Sequence, residues 1–272
     1  MTASSRPDLQ PASAARGLLL AALSLGISLA LTSPAQAGSG GAGSDPAAGN
    51  QDSADSATLP WKLTLGHYRM SEGPAGTDLN LRWRQDGHSA WVGLYRDASV
   101  GSQWRVGWDD QWALPANFSL LPSLQAAQGG FVGGSLNLQW GSAWYGQAGI
   151  GRTNLKPYVN LNFDPNDALM AAFGHQDEAG GWQWQAAVIA DDRLHTGQKH
   201  WHLSARWPLA ATGARVGVDL LRKSGQGDAG WVSAWGASTT LDIDRWFLRL
   251  AYDPKQNFSA DDTWRLSAGL RF

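Results

Sequence analysis

Two short patterns carry the side chains with the most obvious chemistry. His202-Leu203-Ser204 puts an imidazole and a hydroxyl two residues apart, on one face of any extended segment. An imidazole beside a hydroxyl is the pairing that activates a serine nucleophile when a third polar group orients the histidine, and Asp219 is the nearest candidate for that third group. His200 shares the face of His202, a spacing that can hold a metal ion. No carboxylate or cysteine at close spacing completes a ligand set, so no metal and no other cofactor is expected. His67, His88, His175 and His195 are scattered over separate segments. The second pattern is a polar ladder: Lys156, Tyr158, Asn160 and Asn162 alternate along Gly151–Asp167 and can serve as a hydrogen-bonding strip for a solute or as a polar wall. No glycine-rich loop lies between a strand and a helix, so no phosphate cradle is expected.

Arginines are placed as regularly. Arg82, Arg84, Arg105, Arg206, Arg249, Arg265 and Arg271 each fall opposite an apolar stripe, with Asp109 and Asp219 among them. Leu79, Leu81 and Trp83 alternate with Asn80, Arg82 and Arg84, and Trp246, Leu248, Leu250 and Tyr252 alternate with Phe247 and Arg249. Trp201, Leu203, Ala205 and Trp207 oppose His202, Ser204 and Arg206. This period of two is that of a strand with one apolar and one polar face. No long segment repeats apolar residues at i, i+3, i+4 and i+7, which excludes a helical bundle.

The last ten residues are the clearest case. Trp264, Leu266, Ala268, Leu270 and Phe272 share one face, and Arg265, Ser267, Gly269 and Arg271 the other. A chain ending on the aromatic of such a strand resembles the Gram-negative outer-membrane β-barrels, whose assembly machinery recognises a terminal aromatic. The resemblance implies an outer-membrane location, contacts with outer-membrane lipids and a role for Phe272 as assembly signal. His202-Leu203-Ser204 also resembles the spacing in outer-membrane phospholipase A and the lipid A 3-O-deacylase, which implies a lipid hydrolase with Ser204 as nucleophile and His202 as base. In those enzymes the pair faces the bilayer. Here Trp201, Leu203 and Trp207 claim the lipid side.

Composition agrees with a barrel. Sixteen Trp suit a membrane–water interface, although a carbohydrate-binding or other soluble β-sandwich also alternates apolar with polar. Sandwich strands average five to six residues, shorter than the segments of about ten found here. Mean hydropathy is −0.30, as expected when lipid-facing and inward-facing residues cancel. Residues 1–37 read as a secretory signal: Arg6 and Arg16 precede an apolar run from Gly17 to Leu31, and Ala35-Gln36-Ala37 is a cleavage site. Removing it takes away two Arg and one Asp, changing the net charge from −2 to −3 and excluding a strongly basic nucleic-acid binder. Residues 38–58 are Gly, Ala, Ser and Asp without large apolar groups, a flexible leader. Without cysteine there is neither a lipid anchor on sulfur nor a disulfide.

Residues 59–272 are therefore expected to form an all-β, antiparallel up-and-down transmembrane β-barrel. Fifteen segments qualify as strands, and single-chain barrels have even numbers. Segment 117–126 is set aside because Pro122 removes a ladder donor, leaving fourteen, with twelve and sixteen as neighbours. Segment 155–163 is kept as a strand. Long connections are expected at Asp253–Asp262, Arg222–Gly230 and Asp191–Lys199, alternating with short ones, and an unusually tight outer one at Asp164–Asp167. The function this implies is a small passive pore for polar solutes, with anions favoured by the inward arginines. The alternatives are the hydrolase and a non-conducting structural or surface barrel.

Overall fold

A computed structural model describes residues 59–161, 167–177, 181–209 and 212–272. Residues 1–58, which include the signal and leader, lie outside the described residues, as does Asn162. The chain forms antiparallel strands β1 (Trp61–Met70), β2 (Gly76–Gln85), β3 (His88–Asp97), β4 (Gly101–Asp109) and the short β5 (Trp112–Leu114). β6 (Phe118–Ala127), β7 (Phe131–Gly141), β8 (Trp144–Thr153), β9 (Ala168–Gln176) and β10 (Gln183–Asp191) follow. β11 (Lys199–Pro208), β12 (Arg215–Gly227), β13 (Gly230–Ile243), β14 (Trp246–Asp253) and β15 (Thr263–Arg271) complete the wall.

Each strand pairs with its sequence neighbours, β1 pairs with β15, and β4 and β5 both pair with β6. The sheet therefore closes on itself and no edge is left to solvate in lipid. Closure is sealed where Trp61 N–H donates to Phe272 O (3.0 Å) and Phe272 N–H to Trp61 O (2.9 Å). β5 continues β4 in the same register against β6, so the wall has fourteen strands.

That number is reached by a different route than the sequence suggests. Segment 117–126 is a full strand, β6, and the described part of segment 155–163, residues 155–161, forms no strand. Pro122 explains the break between β4 and β5: it accepts from Asp110 N–H (3.1 Å) but has no N–H to return, so the ladder lapses opposite Asp110 and Gln111 and resumes at Trp112. The expected long connection at Arg222–Gly230 is also replaced. β12 and β13 pair continuously from Arg215↔Asp242 to Gly227↔Gly230, a hairpin with only Asp228 and Ala229 at its tip.

Connections differ between the two ends. The Phe272 end has tight turns such as Asp86–Gly87, Ser142–Ala143 and Asp244–Arg245. At the opposite end lie the long ones, residues 154–167, 192–198 and 254–262. The outward face is apolar and exposed, including Leu65, Leu79, Val92, Leu136, Leu203, Leu248 and Leu266. Exposed Trp mark its two borders. Trp104, Trp201, Trp235 and Trp264 sit towards the loop end, and Trp61, Trp112, Trp140, Trp207 and Trp246 towards the turn end. From Trp264 to Phe272 the strand rises by roughly 27 Å at ~3.4 Å per residue. Tilt of about 40° reduces this to about 20 Å, close to the apolar band of a membrane barrel.

Candidate functional site

The inward face is polar and charged along its whole length. Arg82, Arg84, Arg105, Asp109, Arg206, Asp219, Arg249 and Arg271 all point inward and are buried, while their sequence neighbours point outward. Carboxylates sit among the arginines, and three of them are each shared by two. Asp109 Oδ2 accepts from Arg82 Nη1 (3.1 Å) and lies in the field of Arg84 as well. Asp242 accepts from Arg206 Nη2 and from Arg271 Nη2, each at 2.9 Å. Asp78 accepts from Arg105 Nη2 (2.7 Å) and faces Arg265. Arg249 Nη2 donates to Ser238 Oγ (3.0 Å) and lies near Arg265. At these three carboxylates positive charge is in surplus, whereas Asp219 faces His202 and Asp253 faces the single cation Lys223.

Local sequence makes room for these pairs. Arg105, Gly93 and Asn80 lie in register on β4, β3 and β2. Gly93 has no Cβ, so the Arg105 guanidinium can cross over it to Asp78; a methyl there would stand 3.2 Å from Arg105 Nη2. Trp91, also inward, lies over Gly107 and has the guanidiniums of Arg82 and Arg105 each 5.9 Å from its ring.

Lys156, Tyr158 and Asn160 are not on a strand. They belong to the connection that follows β8, where Tyr158, Asn160 and Leu161 are buried inside the loop-end mouth while Lys156 stays exposed. Pro157 supplies no ladder donor in any case. The segment leaves β8 and spans the mouth. Tyr158 stacks on Phe131 of β7 (centroids 4.0 Å, planes 9°). Val159 N–H donates to Gln103 Oε1 of β4 (2.9 Å). Leu161 packs on Tyr68 of β1 and Tyr95 of β3, and its carbonyl accepts from Arg265 Nη1 of β15 (3.4 Å). In a fourteen-stranded wall β15 lies opposite β8, so this loop bars the mouth from side to side.

A second loop, 254–262, folds inward beside it. Phe258 is buried and stacks on His200 (5.3 Å), and Asn257 Nδ2 donates to Asn160 O (3.3 Å), joining the two loops. Lys255, Asn257 and Phe258 are left-handed, with φ of 50°, 51° and 61°, a conformation costing roughly 1–2 kcal/mol per residue. The loop is held against that cost at its base. Asp262 Oδ1 accepts from Lys255 N–H (3.0 Å) and faces the Lys255 ammonium (3.2 Å), and the backbone donor first, then the ammonium, keeps its carboxyl below the usual carboxylate range.

His202 and Asp219 do meet. His202 Nδ1 lies 3.2 Å from both carboxylate oxygens, and Ser204 stands across from Asp219 in register. The group faces the interior, whereas Trp201 and Leu203 face out, so no lipid on the barrel surface reaches it. One level up, His200 is buried across from Lys223, whose ammonium is fully buried against Asp253 (2.5 Å). Among the described residues no group of three or more His, Cys, Asp or Glu is placed to hold a metal.

Several interior residues escape sequence reasoning. Asp253 reads as the start of a long connection, yet it ends β14 inside the wall, and Asp242 lies inward next to the end of β13. Asp78 and Lys223 follow from strict alternation along β2 from Arg82 and along β12 from Asp219, whereas Trp91 needs the register of β3 against its neighbours.

A closed antiparallel barrel with an apolar outer band, aromatic borders and a charged interior defines the class: a transmembrane β-barrel of the outer-membrane type. No protein-family model matches the sequence, and no curated protein matches it. Among solved structures the chain is similar to the outer membrane protein Omp33 of Acinetobacter baumannii, with TM-score 0.53 and 10% identity, covering 79% of this chain and 98% of that one. It also matches the NanC porin (TM-score 0.42, 13% identity, 77% and 100% covered) and OccK8 of Pseudomonas aeruginosa (TM-score 0.42, 9% identity, 79% and 98% covered). Of these three, the first alone superposes above one half, and at that identity the likeness is one of fold.

Proposed function

We propose that this chain is a narrow passive pore of the outer membrane, carrying small polar solutes down their gradients and preferring anions. The observation that carries the reading is the interior of the closed wall, where Asp78, Asp109 and Asp242 are each shared by two arginines. A cavity with surplus fixed positive charge concentrates anions and lowers their entry barrier. Side chains packed along the wall and two inward loops restrict passage to small molecules. The loop end faces outward from the cell, as longer loops do in this class. The export signal in residues 1–37, the Gram-negative envelope and contacts with its lipids belong to the same reading. No bound cofactor is required, because transport of this kind needs only a gradient.

Planar-bilayer recording tests the pore. Refolded protein should give discrete conductance steps that persist in Ser204→Ala. A protein that inserts and folds, yet gives no steps, contradicts the pore. Turnover of phospholipid lost in Ser204→Ala would establish the hydrolase instead.

A further inference from the structure

The outer surface carries a second, opposite pattern of charge. Outward-facing strand positions hold five cations, Arg69, Arg96, Arg152, Lys199 and Arg222, and all lie at the loop end of the wall. Arg69, Arg96 and Arg152 are each one residue from the end of their strand, Lys199 begins β11, and Arg222 is level with Trp201 two residues further in. Among the described residues no outward strand position carries Asp or Glu, and none within the turn-end half carries Lys or Arg. Solubility alone gives no reason for cations to favour one rim.

Two of the five form a shaped site. Lys199, Ser224 and Ser233 are in register across β11, β12 and β13, and so are Trp201, Arg222 and Trp235 one step below. The Arg222 guanidinium is fixed. Nη1 donates to the carbonyls of Lys223 (2.8 Å) and Ala234 (3.3 Å), Nη2 donates to Ser233 Oγ (2.8 Å), and the group lies 5.5 Å from the centre of the Trp235 ring. These bonds occupy three of its five N–H groups, leaving Nε–H and one Nη2–H for another acceptor. Ser233 Oγ, already accepting, has its own hydrogen to donate. No carboxylate among the described residues pairs with Arg222 or Lys199. Arg152, by contrast, is held by Asp192 (2.7 Å).

We propose that Arg222, Lys199, Ser224 and Ser233 bind the phosphate of a lipid headgroup in the leaflet at the loop end, with Trp201 and Trp235 against the adjoining acyl region. A fixed guanidinium, an ammonium and two hydroxyls match a phosphate's oxygens in charge and in number of donors. Indole rings suit the boundary between headgroup and chain. The site lies on the lipid side of the wall and is independent of the pore.

Native mass spectrometry of the refolded chain in neutral detergent tests it, with phosphatidic acid as probe and diacylglycerol as its phosphate-free counterpart. Phosphatidic acid should bind saturably and diacylglycerol should not, and Arg222→Gln with Lys199→Gln should weaken binding about tenfold or more. Arg245→Gln, an exposed cation at the turn end, should leave it unchanged. In the unsubstituted chain, added salt should weaken binding, a readout that holds even if the double variant fails to refold. Equal binding of diacylglycerol, salt-insensitive binding, an unaffected double variant, or full competition by equimolar inorganic phosphate overturns the assignment.

Discussion

Asp242 illustrates how single residues set the interior charge. Its two oxygens each take one arginine, Arg206 and Arg271, and all three groups are buried. Asp242→Asn would leave two guanidiniums facing a neutral amide. Removing one partner of a buried ion pair costs about 3–5 kcal/mol, so urea should unfold this variant at lower concentration. The surviving barrels should prefer anions more strongly than the parent, read as a larger zero-current potential in a salt gradient. Gly93 acts through the absence of a side chain. Gly93→Ala pushes a methyl against the Arg105 guanidinium, and the displaced pair with Asp78 should cost about 1–3 kcal/mol in the same unfolding assay. His202 and Asp219 show what residue spacing can and cannot reveal. Their proximity follows from strand parity, and so does their inward direction, which separates them from any lipid on the outer surface.

At the scale of elements, most strands are legible because lipid and interior impose opposite demands on alternate residues, as in β2, β11, β14 and β15. Reading fails where something else produces or hides the alternation. Residues 156–161 alternate polar with apolar without pairing as a strand, since Tyr158, Asn160 and Leu161 are all buried in the mouth, and nothing in composition separates that from pairing. β6 is hidden by Pro122, whose missing donor costs one gap in the ladder without ending the strand. The β12–β13 hairpin outruns its expected length because small and polar residues such as Ser224, Gly225 and Ser233 pair as well as apolar ones. The two inward loops are the elements whose loss should matter most to passage. Phe258→Ala removes the ring that stacks on His200 and should raise single-channel conductance, at a stability cost of roughly 3–5 kcal/mol at most. The base of that loop also fixes a pH dependence. Asp262 titrates below its ordinary value when folded, so its contribution is complete above the unfolded pKa of about 3.9 and is lost as pH falls through the lower, folded value. The difference in conductance between the parent and Asp262→Asn should therefore stay constant from neutral pH to about 5 and shrink only in stronger acid.

For the whole molecule, two charge patterns sit on opposite sides of one wall. Inside, arginines exceed the carboxylates that face them; outside, cations gather at one rim and no described outward strand position carries a carboxylate. A soluble sandwich would bury the apolar face and expose the arginines, whereas here Leu65, Leu203, Leu248 and Leu266 are exposed and Arg82, Arg206 and Arg271 are buried. That inversion is stable only with hydrocarbon around the wall. The measurement that tests this most directly is the zero-current potential of the reconstituted protein across a bilayer separating concentrated from dilute potassium chloride. A lumen with surplus positive charge gives a potential of the sign set by the chloride gradient, and the sign set by potassium would contradict the account.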